Sequence, residues 1–533
     1  MSQNASNATQ KFLKGTVILS VAGLIAKILG ASFRIPLGNL IKNVGMGYYG
    51  GPYPIYTLLT AIAIVGIPST IAKLVAEKRV AGEYQAAHDI FTYTLRLMIG
   101  IGIVISLLMA LCSQGMIYLF KWEQETIYSI LGLSLSPLFV CMMGVFRGYF
   151  QGRQDMTPTA ISQVLENLGR FLTGLSLAYL FMPDAGKAAG GASFGATAGG
   201  MLGVLALFII YMMRKMEIKK EIELSKDYNN KSLSFRNVAQ KVLFIAIPIS
   251  IGAAVNSIMN FADSALVQAS LKNMGMTNKV ATEFQGQLTK VATFINLPLA
   301  FGMALVIGLV PAITEAVAKK DKGEVQTKIE LGMRFALLIG LPASIGLSVL
   351  SSPIMKLVYY KAPDGWEILS VAALSIVFIM LGQAFTGILQ GIGKVWQPVI
   401  GIILATIAKV ILNIILMQTS LQVIGTAIAS IIAYFIFMLY NYQMMKKYTS
   451  FKLNIKLVII KPLIASIIMG VVAGGTYKGL SLVMDATSRT NNAIMTLAGI
   501  GAGAISYVVL IFILGAVTKQ DLKDIKGKGS AKE

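Results

Sequence analysis

The sequence predicts an all-α polytopic membrane protein: about fourteen transmembrane helices, as two pseudo-symmetric six-helix lobes plus two C-terminal helices. Three observations lead there. Of the 533 residues, 55% are hydrophobic and only 13% charged, about half the charged share of an ordinary soluble domain, and mean hydropathy is +0.71. The apolar residues fall in runs of about twenty, the length a helix needs to cross a bilayer. Backbone groups in lipid must be satisfied within their own segment, so runs of that length are helices, not the shorter alternating strands of a barrel. Finally, features return at an offset of roughly 240 residues, the mark of a duplication. Phe146-Arg147-Gly148-Tyr149-Phe150-Gln151-Gly152 comes back as Phe385-Thr386-Gly387-Ile388-Leu389-Gln390-Gly391. Pro68, Val75-Ala76, Lys78 and Gly82-Glu83 come back as Pro311, Val317-Ala318, Lys320 and Gly323-Glu324.

Apolar runs and their breakers place the spans in order. The first lobe, 1–213, holds six, at roughly 15–40, 52–76, 90–113, 127–150, 158–182 and 190–213. A basic linker, 214–240, follows. The second lobe, 241–445, holds six more, at roughly 241–270, 284–317, 331–352, 367–391, 397–418 and 422–445. Residues 446–533 add two helices, at roughly 455–477 and 493–517, and a basic tail.

The charge distribution orients the bundle. The net charge is +22, which could suggest nucleic-acid binding, but no soluble module is long enough to carry it. The cations instead fill alternate loops: Lys11 and Lys14; Lys78 and Arg79; Arg147 and Arg153; the linker from Arg214 to Lys241; Lys319 to Lys328; Lys446 to Lys456; and the tail. Positive loops stay inside, so both termini are expected in the cytoplasm. The two cysteines, Cys112 and Cys141, lie in apolar segments, and the single histidine, His88, excludes a multi-histidine metal site.

Polar residues on membrane helices are costly and mark either a hydrated path or a structural pair. Gly23, Lys27, Gly30 and Arg34 share one face of the first span, and Pro36 is expected to disrupt the helix just beyond. Gly252, Asn256, Asn260 and Asp263 form a polar stripe on the seventh span, and Glu283, Gln287 and Lys290 one on the eighth. Asp263 with its asparagines could hold Na⁺ or a proton. On the fifth span Gln163, Glu166 and Arg170 share a face, and the i, i+4 spacing favours a Glu166–Arg170 pair within the helix. The repeat sets Lys409 near the position of Arg170. Gly191, Gly195, Gly199 and Gly203 make a ladder for close helix contact. Gly387 to Lys394 resembles a phosphate loop, but it lacks the required spacing, the Ser or Thr after the lysine and the preceding strand.

Arg147-Gly148-Tyr149-Phe150-Gln151-Gly152, Met156-Thr157-Pro158-Thr159-Ala160-Ile161-Ser162-Gln163 with Glu166, and Phe33-Arg34-Ile35-Pro36-Leu37 resemble the SpoVB/YtgP branch of the MOP flippase superfamily, related to the MurJ lipid II flippases. The resemblance spans the chain. It implies two six-helix lobes plus two helices, alternating access, and a cationic central cavity. The implied cargo is an undecaprenyl-pyrophosphate-linked, lipid II-like cell-wall precursor, carried in a bacterial cytoplasmic membrane. Lys27-Ile28-Leu29-Gly30 parallels the family's Arg-Val-Leu-Gly, and Lys290 lies near the place of a family cavity arginine.

The expected site is therefore Arg34, Lys27 and Lys290 for substrate. Asn256, Asn260, Asp263 and Gln287 are expected to line the cavity or couple an ion, and Glu166, Arg170 and Lys409 to support or gate the lobes. No metal, cofactor or nucleic acid is expected; the partners are the lipid-linked precursor, membrane lipids and cell-wall synthesis or division machinery. Alternatives are a MATE-like cation or drug antiporter coupled to Na⁺ or H⁺, and a transporter of another lipid-linked polysaccharide unit. A membrane enzyme would need a sizeable external loop with paired carboxylates, and the external loops are short.

Overall fold

The computed structural model describes residues 2–225, 233–449 and 454–516, and every regular element among them is helical. Packing divides the chain into two compact units, Met1–Thr289 and Lys290–Glu533. The first holds α1 (Ser2–Gly50), α2 (Tyr53–Ala61), α3 (Ile67–Ala81), α4 (Tyr84–Leu111), α5 (Ser113–Phe120), α6 (Thr126–Ser134) and α7 (Ser136–Gly152). It continues with α8 (Thr157–Leu180), α9 (Ala185–Met213), α10 (Lys215–Glu223), α11 (Phe235–Ala253) and α12 (Val255–Asn273). The division falls within α13 (Asn278–Ala318). The second unit holds α14 (Lys322–Val349), α15 (Ser351–Val358), α16 (Trp366–Ala372), α17 (Ser375–Gly391), α18 (Gln397–Met417), α19 (Gln422–Thr449), α20 (Lys461–Ser481) and α21 (Arg489–Ile513).

Among the described residues nine helices are long and apolar enough to cross a membrane, with α6–α7 and α16–α17 each making one span. The pair α2–α3, bent by 46°, makes a tenth if taken together. A π-type turn at Ile62–Gly66 lies at that bend, as expected where an extra residue enters a helical ladder. The chain is thus an all-helical, multi-span membrane protein.

Two local expectations are corrected. Pro36 does not end α1. The helix continues past it, and Asn39 Nδ2 donates to the Ile35 carbonyl at 3.1 Å. The break comes at Lys42, where φ is 55° and ψ is −160°. Proline removes one backbone donor but keeps helical φ, whereas Lys42 leaves helical space altogether. Arg147 does not sit in a loop after the fourth span. It lies inside α7, half-buried.

The glycine ladder packs as its spacing indicates. A side-chain carbon added at Gly195 would meet Gly174 Cα at 2.7 Å, and one at Gly199 would overlap the Glu166 carbonyl. Only glycine lets α9 press this close to the backbone of α8. That contact fixes the α8 face carrying Glu166 and Arg170.

At one end of the first unit, α10 is clamped to the ends of α3 and α7. Glu221 takes Arg79 and Arg153, each at 2.7 Å, and Glu217 takes Arg153 at 3.3 Å. Arg214 pairs with Asp155, and Ser225 Oγ accepts from the Gln85 backbone N–H at 3.1 Å. Burial would raise the Glu221 carboxyl, but the two guanidiniums prevail and hold it below the usual glutamate range. In the second unit Arg334 Nε donates to the Ala516 carbonyl at 2.7 Å and Lys461 Nζ to the Gly515 carbonyl at 3.2 Å. Both cations meet carbonyls of the turn just beyond the C-terminal end of α21, a helix end whose dipole favours positive charge.

Candidate functional site

The first unit gathers two arginines on one tyrosine. α1 and α8 lie side by side: the Phe33 ring fills the space a side chain on Gly174 would need, with Cε2 2.8 Å from that position. Gly30 likewise faces Asn167. That register puts Arg34 and Arg170 on neighbouring turns of facing helices. Gly51 and Pro52 then start α2 so that Tyr53 stands beside both. The Arg34 guanidinium carbon lies 5.3 Å from the Tyr53 ring centroid and that of Arg170 6.0 Å. The two charges are no farther apart than the sum of those distances. Arg170 Nη1 donates to the Tyr53 hydroxyl at 2.9 Å, and Arg170 Nε has no hydrogen-bond partner.

The rings of Phe33, Tyr49, Tyr53 and Tyr56 run in series, with successive centroids 6.1, 5.7 and 5.6 Å apart; the Tyr49–Tyr53 pair is stacked and the other two are tilted. Tyr56 accepts from Ser136 Oγ at 3.0 Å. Phe33, Tyr49 and Tyr56 are buried, while Tyr53, Arg34 and Arg170 are half-buried. The tyrosine hydroxyl accepts from Arg170 and still has its own proton to give. Guanidinium forks suit the oxygens of a phosphate or carboxylate.

The expected Glu166–Arg170 pair does not form. Glu166 Oε2 takes Arg147 Nη2 at 2.9 Å, and Arg147 Nε also donates to Ser162 Oγ at 2.9 Å. Their side chains are only 16% and 18% exposed. A carboxylate with that little water gains more from a guanidinium on the adjoining helix than from a strained reach along its own. Arg170 is left for Tyr53. Glu166 therefore ties α8 to α7 through Arg147.

The side chains of Lys27 and Asn256 lie outside the described ones. On α12 and α13 Asn260 is exposed, and Asp263 and Gln287 are half-buried. Lys290 is fully buried, and its Nζ donates to the carbonyls of Ala362 at 2.6 Å and Asp364 at 3.1 Å, 5.2 Å from the Tyr359 ring centroid. It holds the turn after α15 against α13. Lys409 is buried, 6.0 Å from the Tyr434 ring centroid. Arg170 and Lys409, paired by the repeat, thus each stand beside a tyrosine. Among the described residues no group of three or more His, Cys, Asp or Glu could hold a metal.

Tyr53 escaped the residue-by-residue reading, and Arg147 entered it only as a loop cation and part of the repeat. The signal for the first was present: Tyr49, Tyr53 and Tyr56 recur at helical spacing beside two expected cations. Aromatic residues near a span end are common as interfacial anchors, so that spacing alone does not single out Tyr53.

A model of polysaccharide biosynthesis proteins matches residues 12–317, and a MatE model matches residues 286–415. The chain is 25% identical to the stage V sporulation protein B of Bacillus subtilis (strain 168) over 528 residues, covering 97% of this chain and 98% of the relative. It is 26% identical to the lipid II flippase MurJ of the same organism over 483 residues, 87% and 88% of the two chains. Among solved structures, a lipid II flippase MurJ in an inward closed conformation superposes with a TM-score of 0.65 at 17% identity, over 94% of this chain and 99% of that one.

Proposed function

Because this chain belongs to the polysaccharide biosynthesis protein family, whose MurJ- and MATE-like fold is that of transporters and not enzymes, we propose that it flips a lipid-linked, pyrophosphate-bearing cell-wall precursor. The membrane is the bacterial cytoplasmic membrane, with both termini and α10 on the cytoplasmic side. The fourteen-span reading, with lobes at 1–213 and 241–445 and two helices beyond, supplies the two halves that alternate access requires. The convergence of Arg34 and Arg170 on Tyr53 carries the proposal. A pyrophosphate cannot enter hydrocarbon with its charge uncompensated. Two guanidiniums and a phenol held by packed helices offer it a prepared set of donors while the isoprenoid tail stays in lipid. Arg34, with Lys27 on the same helix face, contacts the head group; Arg170 completes the site; Lys290 positions α13 from its buried place. The sequence similarity to a lipid II flippase and a sporulation protein supports this substrate class.

In a flippase-depleted strain, wild-type protein should restore growth and Arg34→Ala at equal membrane abundance should not. Full rescue by Arg34→Ala would remove Arg34 from the site. A second reading, a cation or drug antiporter, draws on the MatE match over 286–415 and on the half-buried Asp263 of α12. Drug efflux abolished by Asp263→Asn, with lipid flipping intact, would favour it.

A further inference from the structure

Away from α10, a second set of contacts closes the first unit. There α1 and α13 meet almost backbone to backbone. A side-chain carbon added at Gly286 would overlap the Asn43 carbonyl, one at Gly47 would overlap the Thr282 carbonyl, and one at Gly50 would overlap Thr289 Oγ1. Three glycines on two helices leave no room for even a methyl group. Beside them α12 is buckled to the turn between α5 and α6. Lys121 Nζ donates to Asn273 Oδ1 at 2.6 Å, Lys272 Nζ donates to the Lys121 carbonyl, and Trp122 Nε1 donates to the Ser264 carbonyl at 3.4 Å. Ser264 Oγ donates in turn to the Gly51 carbonyl, and Phe120 stands edge-on to Phe261 with centroids 6.0 Å apart.

α1 and the α5–α6 turn come from the first half of the duplicated chain, and α12 and α13 from the second. Contacts between the halves at one end of the path are those a transport cycle must break and remake. Interlocked side chains would resist that; flat glycine surfaces meet and part without changing rotamers. We propose that Gly47, Gly50 and Gly286 form a backbone seal closing the external end of the transport path, with Lys121, Lys272 and Asn273 as its polar latch. This rests on the transporter reading for its purpose, but its test does not require the substrate to be known.

The test uses full-length protein in intact cells and a membrane-impermeant maleimide. Cys112→Ser removes the exposed thiol, while buried Cys141 stays as an internal reporter of folding. Gln285→Cys, at a buried position next to the seal, reports opening. Gln285→Cys alone should label slowly. Adding Gly286→Ala or Gly47→Ala should speed labelling by about tenfold, because overpacking a tight contact disfavours the closed state. Gly100→Ala, where a side chain would meet open space, should change nothing. Labelling unchanged in both seal variants, with Cys141 still protected, would overturn the proposal, as would acceleration seen only after permeabilisation. Should the added methyl expose Cys141 by unfolding the chain, Lys121→Ala with Asn273→Ala, which adds no bulk, takes its place and should speed labelling too. No change there would also overturn it.

Discussion

Replacing Glu166 by Gln should destabilise the protein far more than replacing Glu166 and Arg147 together. In the single variant Arg147 loses the carboxylate at 2.9 Å while staying mostly out of water. Breaking a fully buried ion pair from one side costs about 3–5 kcal/mol. Here the exposures of 16% and 18% admit some solvent, and the 2.9 Å bond to Ser162 survives. The expected loss is therefore below that range, about 2 kcal/mol. Arg147→Met with Glu166→Gln removes both charges and keeps the volume, so it should lie within about 1 kcal/mol of wild type. A double-mutant cycle by thermal unfolding in detergent measures the coupling. If the double variant loses the sum of the two single losses, the two residues are not coupled and the α7–α8 tie is wrongly assigned. If Arg170 served as the carboxylate's partner after all, Arg170→Met rather than Arg147→Met would rescue Glu166→Gln.

Two further outcomes are expected. Lys290→Met should remove the donor from the Ala362 and Asp364 carbonyls and cost about 2–3 kcal/mol for the stranded acceptors. Transport per folded molecule should persist, and transport lost at full stability would return Lys290 to the substrate site. The α10 clamp should weaken in acid. The folded Glu221 carboxyl titrates below its unfolded value, so its contribution is present above the ordinary glutamate range and disappears as pH falls through the lowered one. Amide exchange across Lys215–Glu223 should rise in that window, and Glu221→Gln should flatten the dependence; exchange indifferent to pH would contradict the clamp.

Much of this was legible in the chain itself because the bilayer imposes simple rules. Apolar run length announced helices, and the glycine ladder announced the close approach of α9 to α8. The stripe through Gly30 and Arg34 pointed to the face that meets Asn167 and Tyr53. What sequence could not settle was partner choice. Spacing of i, i+4 permits a Glu166–Arg170 pair, but the competing Arg147 sits one helix away, and only tertiary packing shows that it is nearer. Lys290 had the same ambiguity. A cation in an apolar run can face a wet path or cap backbone carbonyls, and the carbonyls of Ala362 and Asp364 are more than seventy residues away. The break in α1 was displaced for a related reason. Proline marks where a donor is missing, whereas the chain changed direction at Lys42.

In the proposed function the Arg34–Arg170–Tyr53 cluster carries a lipid-linked pyrophosphate across the membrane. Its most direct test is the leaflet distribution of the lipid-linked precursor in cells depleted of their own flippase. Cells given the wild-type chain should show the precursor in the outer leaflet, and cells given Arg34→Ala with Arg170→Ala at equal abundance should trap it in the inner leaflet. Equal delivery by both proteins, or none by the wild type, would contradict the claim.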